Sequence, residues 1–326
     1  MIENEYMSKA YTNCIKGLVA ILVVVHHLYQ YMGLFYGSYL GVIFQTIGFL
    51  CVAMFFFYSG YGLMLSSRKE HYMETFFRKR FWPLYTFYAV LILLYSLWTI
   101  LLDGQFSLRL VLQSFVFGGT VVTNGWYLQA LFVAYLLFYG CFKTFVHKGE
   151  PTRLFSFGIG LAAYIVLCLF LRLGVNWYQT IPCMLLGMVY CRKKREIDLC
   201  LKKRSFLSFV VTGALFAGCF LLSELSRAAL LFDVLYSLFF VCAAVALSYM
   251  LCHSSLLNNK FFALCGNYSL EIYVSHGFFL RLIQLRYIEN KWLYTGTVLL
   301  GTAIVSIIMK RIRHLINRWW KRHESN

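Results

Sequence analysis

The chain has 326 residues, of which 60% are hydrophobic and only 13% are charged. Soluble domains carry about 25% charged residues, so this composition excludes an ordinary soluble enzyme and is typical of a membrane protein. The net charge of +17 comes from short Lys and Arg blocks between long apolar runs. Nucleic-acid binding is not expected, because it requires a basic face larger than these short loops can form.

The N-terminal segment contains two acidic residues, Glu3 and Glu5, and no small-residue cleavage site. The first apolar run is therefore expected to stay as a helix rather than to be removed as a signal peptide. Eleven cysteines are scattered mostly within apolar segments, without a C-x-x-C pair. We interpret them as small buried hydrophobic residues, and we predict neither a disulfide framework nor a metal site.

Apolar runs of about the length that crosses a bilayer predict an all-α, polytopic transmembrane bundle of about ten spans. The predicted spans are residues 12–32, 39–65, 83–102, 124–146, 154–173, 176–191, 206–223, 229–251, 268–287 and 292–312. Residues 104–123 are interrupted by Gly118 and Gly119 and are predicted to be an interfacial or re-entrant segment. Residues 1–326 form a single predicted membrane domain, ending in a short basic tail, 313–326.

The distribution of Lys and Arg over alternate loops predicts the orientation. Of the 30 basic residues, only six fall on one set of loops. These six are Arg109, Arg172, Arg227, Arg281, Arg286 and Lys291. Because positively charged loops stay in the cytosol, both termini are predicted to be cytosolic, and the number of spans is then even. We expect the protein in the plasma membrane, with the lipid bilayer as its surroundings.

The first predicted span contains three ionisable groups, Lys16, His26 and His27. Placing such groups inside a membrane costs free energy, so they are candidates for a functional role. Lys16 and His27 are separated by eleven residues, which places them within about 20° on one helix face and about 16 Å apart along the axis. If a ligand phosphate binds near Lys16, an extended arm of that ligand reaches His27. A coenzyme A thioester has this shape. We interpret His27 as a general base and His26 as a packed structural residue.

The ninth predicted span carries Glu271, Ser275 and His276. Glu271 and Ser275 are four residues apart and share a helix face, with His276 beside it. One interpretation is a carboxylate paired with neighbouring helices. The other is that Glu271 and His276 bind the acceptor or orient the histidine of the first span.

Two further groups are candidates for substrate binding. Arg78 and Arg80 lie in a basic run directly before a span. Such runs usually set orientation or meet anionic lipid, but Arg also grips phosphate bidentately, so both are candidates for the donor phosphates. Trp126 and Tyr127, at the start of the fourth span, are either interfacial anchors, which we favour, or a stacking surface for a sugar.

These segments together resemble the acyltransferase 3 family of integral membrane enzymes, which move acyl groups, usually acetyl, onto cell-surface sugars. The matching motifs, in chain order, are IKGLVAILVVVHH, FFFYSGYGLML, RKRFWPLY, NGWYLQALFVAYLLF and SLEIYVSHGFFL. The resemblance implies a cytosolic acyl-CoA donor, an acceptor reached from the outer side and His27 at the reaction centre. Lys16 stands where many members have Arg, and Lys lacks the planar fork of Arg.

The leading hypothesis is a membrane O-acyltransferase that transfers an acetyl or other acyl group from acetyl-CoA or another acyl-CoA to a carbohydrate hydroxyl. No permanently bound cofactor is expected. In this hypothesis Lys16, Arg78 and Arg80 hold the donor phosphates. Members often carry an added hydrolase-like domain, so a separate extracytoplasmic partner or a homo-oligomer is left open. The alternatives are a transporter or flippase of a small acid or lipid-linked sugar, and a non-catalytic assembly or sensor protein.

Overall fold

The computed structural model describes residues 5–35, 37–225 and 229–322. Over these ranges the chain is helical and has no β-strand, which confirms the prediction of an all-α fold. The longer helices are α1 (Lys9–Met32), α2 (Tyr39–Ser67), α4 (Trp82–Asp103), α6 (Trp126–Thr144), α7 (Glu150–Phe170), α8 (Pro182–Arg192), α9 (Lys194–Leu225), α10 (Ala229–Leu251) and α14 (Lys291–Arg322). The shorter helices are α3 (Tyr72–Phe76), α5 (Leu108–Phe115), α11 (Lys260–Asn267), α12 (Ser269–Ser275) and α13 (Gly277–Leu280).

The chain folds into two compact units, and each is built from several separate stretches of sequence. Unit 1 comprises Met1–Val19, Phe49–Met73 and Leu136–Asn267. Unit 2 comprises Ala20–Gly48, Glu74–Tyr135 and Tyr268–Asn326. Consequently α1, α2 and α6 each contribute one part to unit 1 and the other part to unit 2.

Unit 1 is organised around the pairing of α9 with α10. A buried cluster joins Leu50 of α2, Cys219 of α9 and Tyr236 of α10. The Tyr236 hydroxyl accepts a hydrogen bond from the Gln179 side chain just before α8. The cysteines, all of which lie in the part of the chain that is described, are free thiols and most are buried.

Unit 2 is organised around α14. The second half of α1, helix α13 and α14 bury a common apolar cluster, made of Val24, Leu28, Leu280, Tyr294 and Val298. The Tyr294 hydroxyl also donates to the Leu280 carbonyl at 2.9 Å. Farther along α14, Trp320 donates from Nε1 to Thr86 of α4 at 3.1 Å. Helix α14 therefore contacts both the half of α1 that carries the histidines and the first turns of α4.

Seven helical segments within the described ranges are long and apolar enough to cross a membrane. They are Lys9–Met32, Tyr39–Ser67, Tyr72–Asp103, Glu150–Phe170, Lys194–Leu225, Ala229–Leu251 and Lys291–Arg322. Their outward side chains are apolar, as for Phe155, Phe206 and Leu225, which are 71%, 71% and 83% exposed. Exposed apolar surface of this extent is stable against lipid rather than water. The chain is therefore a multi-pass membrane protein.

The remaining predicted spans have other forms in the structure. Helix α6 has 19 residues and α8 only 11, while residues 268–287 form the two short helices α12 and α13 rather than one long helix. Within residues 104–123, the predicted interfacial segment, α5 has eight residues and Ser107 caps it by accepting from the Leu110 amide. The total of ten spans and the cytosolic location of both termini stay predictions, and Arg227, counted for the orientation, lies outside the described residues.

Candidate active site

His27 lies in the half of α1 that belongs to unit 2, and its side chain is half-buried. Its Nδ1 is 3.0 Å from Oε1 of Gln30, which is three residues later on the same helix. Because an amide oxygen only accepts hydrogen bonds, Nδ1 carries the hydrogen and the lone pair of a neutral imidazole lies on Nε2. This hydrogen bond therefore leaves Nε2 of His27 as the basic nitrogen.

Asn124 brings a second chain segment to that basic nitrogen. Its Nδ2 is 2.9 Å from Nε2 of His27 and 3.4 Å from Nε2 of His276. An amide nitrogen has two hydrogens, so one Asn124 side chain donates to both imidazoles. The backbone of Asn124 is left-handed, with φ of 60°, a conformation that Asn tolerates better than most residues.

His276 lies at the junction between α12 and α13 and is fully buried. Its Nδ1 donates to the carbonyl oxygen of Ile272 at 3.1 Å, which again leaves the lone pair on Nε2. The rings of His27 and His276 are stacked, with centroids 5.1 Å apart and planes inclined by 19°. Two imidazoles therefore present their Nε2 atoms to the same asparagine.

Side chains of α4 fix the backbone around His276. Tyr95 donates from its hydroxyl to the Val274 carbonyl at 2.6 Å, and Trp98 donates from Nε1 to the Phe278 carbonyl at 2.7 Å. Gly277 lies between these contacts, where an added Cβ would be 2.4 Å from the Tyr95 hydroxyl. Only glycine allows α4 to approach the α12–α13 junction this closely.

The backbone of Asn124 is held by a tyrosine of α12. Tyr273 donates from its hydroxyl to the Asn124 carbonyl at 2.9 Å. Tyr127 packs edge-on against Tyr273, with centroids 5.2 Å apart. Tyr273 thus ties the Asn124 backbone to α12, and its ring contact with Tyr127 joins the start of α6 to the same helix.

His26 has a different environment from its neighbour. It is 4% exposed, and Nδ1 donates to the carbonyl oxygen of Phe44 at 2.5 Å. An added Cβ at Gly48 would be 2.5 Å from the His26 ring. The ring is thus packed between α1 and α2, in agreement with its interpretation as a structural residue.

A cavity of about 650 Å³ in unit 2 ends at the Asn124 side of this cluster. Hydroxyl and amide side chains predominate among its polar lining residues, namely Ser96, Thr99, Gln105, Ser107, Thr120, Thr123 and Asn124. Arg281 also lines it and forms an ion pair with Asp103 at 2.7 Å. The volume is within the range of small-molecule sites, and hydroxyl and amide groups are suited to a polyhydroxylated ligand.

Comparison with known protein families decides the assignment. A family described as an acyltransferase domain matches residues 9–311, nearly the whole chain. The chain belongs to the acyltransferase 3 family. The resemblance inferred from the motifs is thereby confirmed. Neither the search of curated proteins nor the search of solved structures found a match.

Three predicted residues of this acyltransferase 3 protein meet at or next to the cluster. His27 and His276 share Asn124. Trp126, two residues after Asn124, is half-buried and contacts Tyr127 edge-on at 6.4 Å. Glu271 lies elsewhere in unit 2: its Oε1 is 2.6 Å from Nε of Arg313. The carboxylate therefore pairs with a cation of α14, the arrangement that we considered as the alternative to orienting a histidine.

The predicted donor-binding cations are distributed over both units. Arg78 and Arg80 are exposed in a π-helical turn, Phe77–Phe81, of unit 2. Arg80 donates from Nε to the Tyr135 hydroxyl at 3.1 Å. Lys16 belongs to unit 1, where its ammonium lies 5.5 Å from the ring centroid of Tyr58. Among the described residues, no group of three or more His, Cys, Asp or Glu side chains is arranged to hold a metal ion.

Asn124 is a residue of the candidate site that the sequence analysis missed. Within the motif NGWYLQA, the aromatic residues Trp126 and Tyr127 were chosen as candidates. The Asn-Gly dipeptide that precedes them, directly before a helix, was the stronger signal. Such a dipeptide marks a left-handed turn, and a turn that ends at a helix start can aim a side chain into a site. The contacts themselves join positions 97 and 152 residues apart.

Proposed function

We propose that this membrane protein is an O-acyltransferase that moves an acyl group, with acetyl favoured, from acyl-CoA to a carbohydrate hydroxyl. The observation that carries the proposal is the Asn124 amide, which contacts Nε2 of both His27 and His276 and lines the polar cavity. Family membership supports acyl transfer as the reaction class. His27 is the proposed catalytic residue, and His276 and Asn124 are positioning residues.

In the proposed reaction, Nε2 of His27 takes the proton from an acceptor hydroxyl as the oxygen attacks the thioester carbonyl. The carbon–sulfur bond then breaks, and the imidazolium returns the proton to the departing thiolate, giving an ester and free CoA. Imidazole suits both steps because it gains and loses a proton near neutral pH. The hydrogen bond to Gln30 keeps the basic nitrogen directed at the site. A covalent acyl-histidine route is an open alternative.

The acceptor is proposed to bind in the 650 Å³ cavity. Sugars present several hydroxyls, and Thr120, Thr123 and Gln105 supply matching donors and acceptors. Trp126 stays a candidate stacking surface. A cell-surface or envelope carbohydrate would reach the cavity if the termini are cytosolic and the enzyme resides in the plasma membrane, as the charge distribution predicts.

The donor phosphates are proposed to contact Lys16, Arg78 and Arg80. A guanidinium binds phosphate through two parallel hydrogen bonds, whereas Lys acts as a point charge. Arg80 is held by Tyr135 through both a hydrogen bond and a ring contact of 5.4 Å. This restraint lowers the entropy that the side chain would lose on binding an anion.

The test is transfer of radiolabel from acetyl-CoA to envelope glycan in membranes that carry wild-type protein or His27→Ala. Loss of a general base lowers such rates by about 10²- to 10⁴-fold, so His27→Ala is expected to transfer almost no label. His147→Ala is the matched control, because His147 is exposed in the loop between α6 and α7. Protein amount is matched by fluorescence of a fused reporter.

Equal transfer by wild type and His27→Ala would keep the acyltransferase and reject the assigned base. No transfer by wild type, with several acyl-CoAs and envelope acceptors, would reject the proposed reaction and favour the transporter. In that case uptake of labelled substrate by vesicles, without acyl-CoA, is the next measurement.

A further inference from the structure

Unit 1 contains a second, larger cavity, which the proposed reaction does not use. Its volume is about 1070 Å³. It lies where α2, α8 and α10 end and α9 begins, and we call it the basic chamber. Small-molecule sites occupy about 300–1,000 Å³, so the chamber has room for an organic ligand and not only for a simple ion.

The walls of the chamber carry more positive than negative charge. Five basic residues line it, namely Arg68, Arg192, Lys194, Arg195 and Lys202, against the two carboxylates of Glu5 and Asp198. Lys194 is neutralised within the protein, because its ammonium contacts both Glu5 and Asp198. Arg68 and Arg192 pair with Glu150 at 2.9 and 3.7 Å, and the contact with Glu150 raises the pKa of Arg68 above its ordinary value.

Arg195 and Lys202 are the two cations that the protein leaves available. Both are exposed, and neither forms an ion pair or side-chain hydrogen bond with another residue that the structure describes. They are seven residues apart on α9, which places them on one helix face about two turns apart. The helical φ and ψ angles are interrupted at Arg204, so this face belongs to the short first segment of α9.

Three tyrosines form an aromatic wall beside these cations. Tyr6, Tyr61 and Tyr249 line the chamber, and Tyr6 meets Tyr249 edge-on with centroids 5.1 Å apart. Tyr6 is buried and hydrogen-bonds to Tyr190 at 2.5 Å. Burial raises the pKa of Tyr6 well above its ordinary value, so its hydroxyl stays neutral and adds no charge that would repel an anion.

We propose that the basic chamber binds an organic phosphate of nucleotide size, with its phosphate groups on Arg195 and Lys202 and its ring against the tyrosines. Charge-assisted hydrogen bonds from Arg and Lys favour phosphate, and flat rings stack on aromatic side chains. A basic run that only sets membrane orientation needs neither a cavity nor an aromatic wall. The phosphate belongs either to a soluble nucleotide or to an anionic lipid headgroup.

The first arm of the test measures nucleotide binding. The full chain is placed in nanodiscs of phosphatidylcholine, which is neutral overall, and titrated calorimetrically with adenosine 3′,5′-bisphosphate. The variant Arg195→Gln/Lys202→Gln is expected to bind about tenfold more weakly or worse, because hydrogen bonds from two charged groups are lost. The matched control is Lys148→Gln/Lys203→Gln, which removes the same charge from two exposed lysines that do not line the chamber.

The second arm measures lipid retention. Native mass spectrometry of protein extracted from membranes containing phosphatidylglycerol counts the anionic lipids that stay bound. Saturable nucleotide binding that only Arg195→Gln/Lys202→Gln weakens supports the soluble source. A lipid lost only in that variant supports the headgroup. Binding of neither ligand, or equal binding by both double variants, overturns the proposal. Both arms measure binding without turnover, so the outcome is independent of whether acyl transfer is observed.

Discussion

At the scale of single residues, two adjacent histidines differ because consecutive helix positions point about 100° apart. His26 is directed at a backbone carbonyl and is packed against Gly48. His27 is directed at a side-chain amide that also contacts a cavity. At one position the imidazole fills a helix interface, and at the other its basic nitrogen accepts a hydrogen bond from an amide that lines a cavity.

The role of the Asn124 amide is testable with two substitutions. Asn124→Gly removes the amide without straining the left-handed backbone, whereas Asn124→Ala removes it and adds strain of about 1 kcal/mol. Both variants are expected to lower kcat by up to about 100-fold, because the base is no longer oriented. Only Asn124→Ala is expected to lower the melting temperature as well.

Rates are measured as label transfer per folded protein, and stability as the melting temperature in detergent. A full rate in Asn124→Gly would show that the amide has no part in positioning His27. A low rate in Asn124→Ala alone would assign the effect to the backbone.

At the scale of elements, the structure departs from long uniform helices where the site is built. Residues 268–287 are apolar enough to be predicted as one span, yet they form α12 and α13 with His276 between them. Broken helices are tolerated at membrane depth when other parts of the protein satisfy the exposed backbone groups. Tyr95 and Trp98 do so here by donating to the carbonyls of Val274 and Phe278.

Gly277→Ala tests whether this close packing matters. The added Cβ would lie 2.4 Å from the Tyr95 hydroxyl and 2.6 Å from Thr123 Cβ. Overpacking of this kind costs about 1–3 kcal/mol and is expected to displace His276, so both melting temperature and label transfer fall. The control is Gly296→Ala in α14, where an added Cβ meets nothing within 4 Å.

Gly296→Ala is expected to leave transfer unchanged and to raise stability slightly, because Ala is favoured over Gly in helices by about 0.5–1 kcal/mol. Unchanged stability and transfer in Gly277→Ala would show that α4 can move away from the junction without consequence.

At the scale of the whole molecule, the seven apolar helical segments explain why the chain is a membrane protein. The orientation rests on a different property, the separation of basic residues into alternate loops. Arg281, which the charge count places on the outer side, pairs at 2.7 Å in unit 2 with Asp103, which directly follows the predicted span 83–102. That ion pair is consistent with their assignment to the same side of the membrane.

The orientation is tested with reporter fusions. A fluorescent protein at the C-terminus is expected to be bright, because both termini are predicted to be cytosolic. Alkaline phosphatase, which is active only outside the cytosol, is expected to be active when fused after Gln105 and inactive when fused after Lys148. Phosphatase activity at the C-terminus would place that end outside the cytosol and contradict the predicted topology.

The sequence by itself determined the all-α fold, the membrane location and the family, because these depend on apolar runs and on motifs that lie within short segments. The sequence also identified His27 and His276 as candidate site residues, because both are ionisable groups within predicted spans. The tertiary structure alone decided that Asn124 joins these histidines, that Glu271 meets Arg313, and that the ninth apolar run breaks at His276. Each of these features depends on side chains or backbone groups from distant positions, and the spacing of residues along one helix carries no information about which other segment will supply the partner.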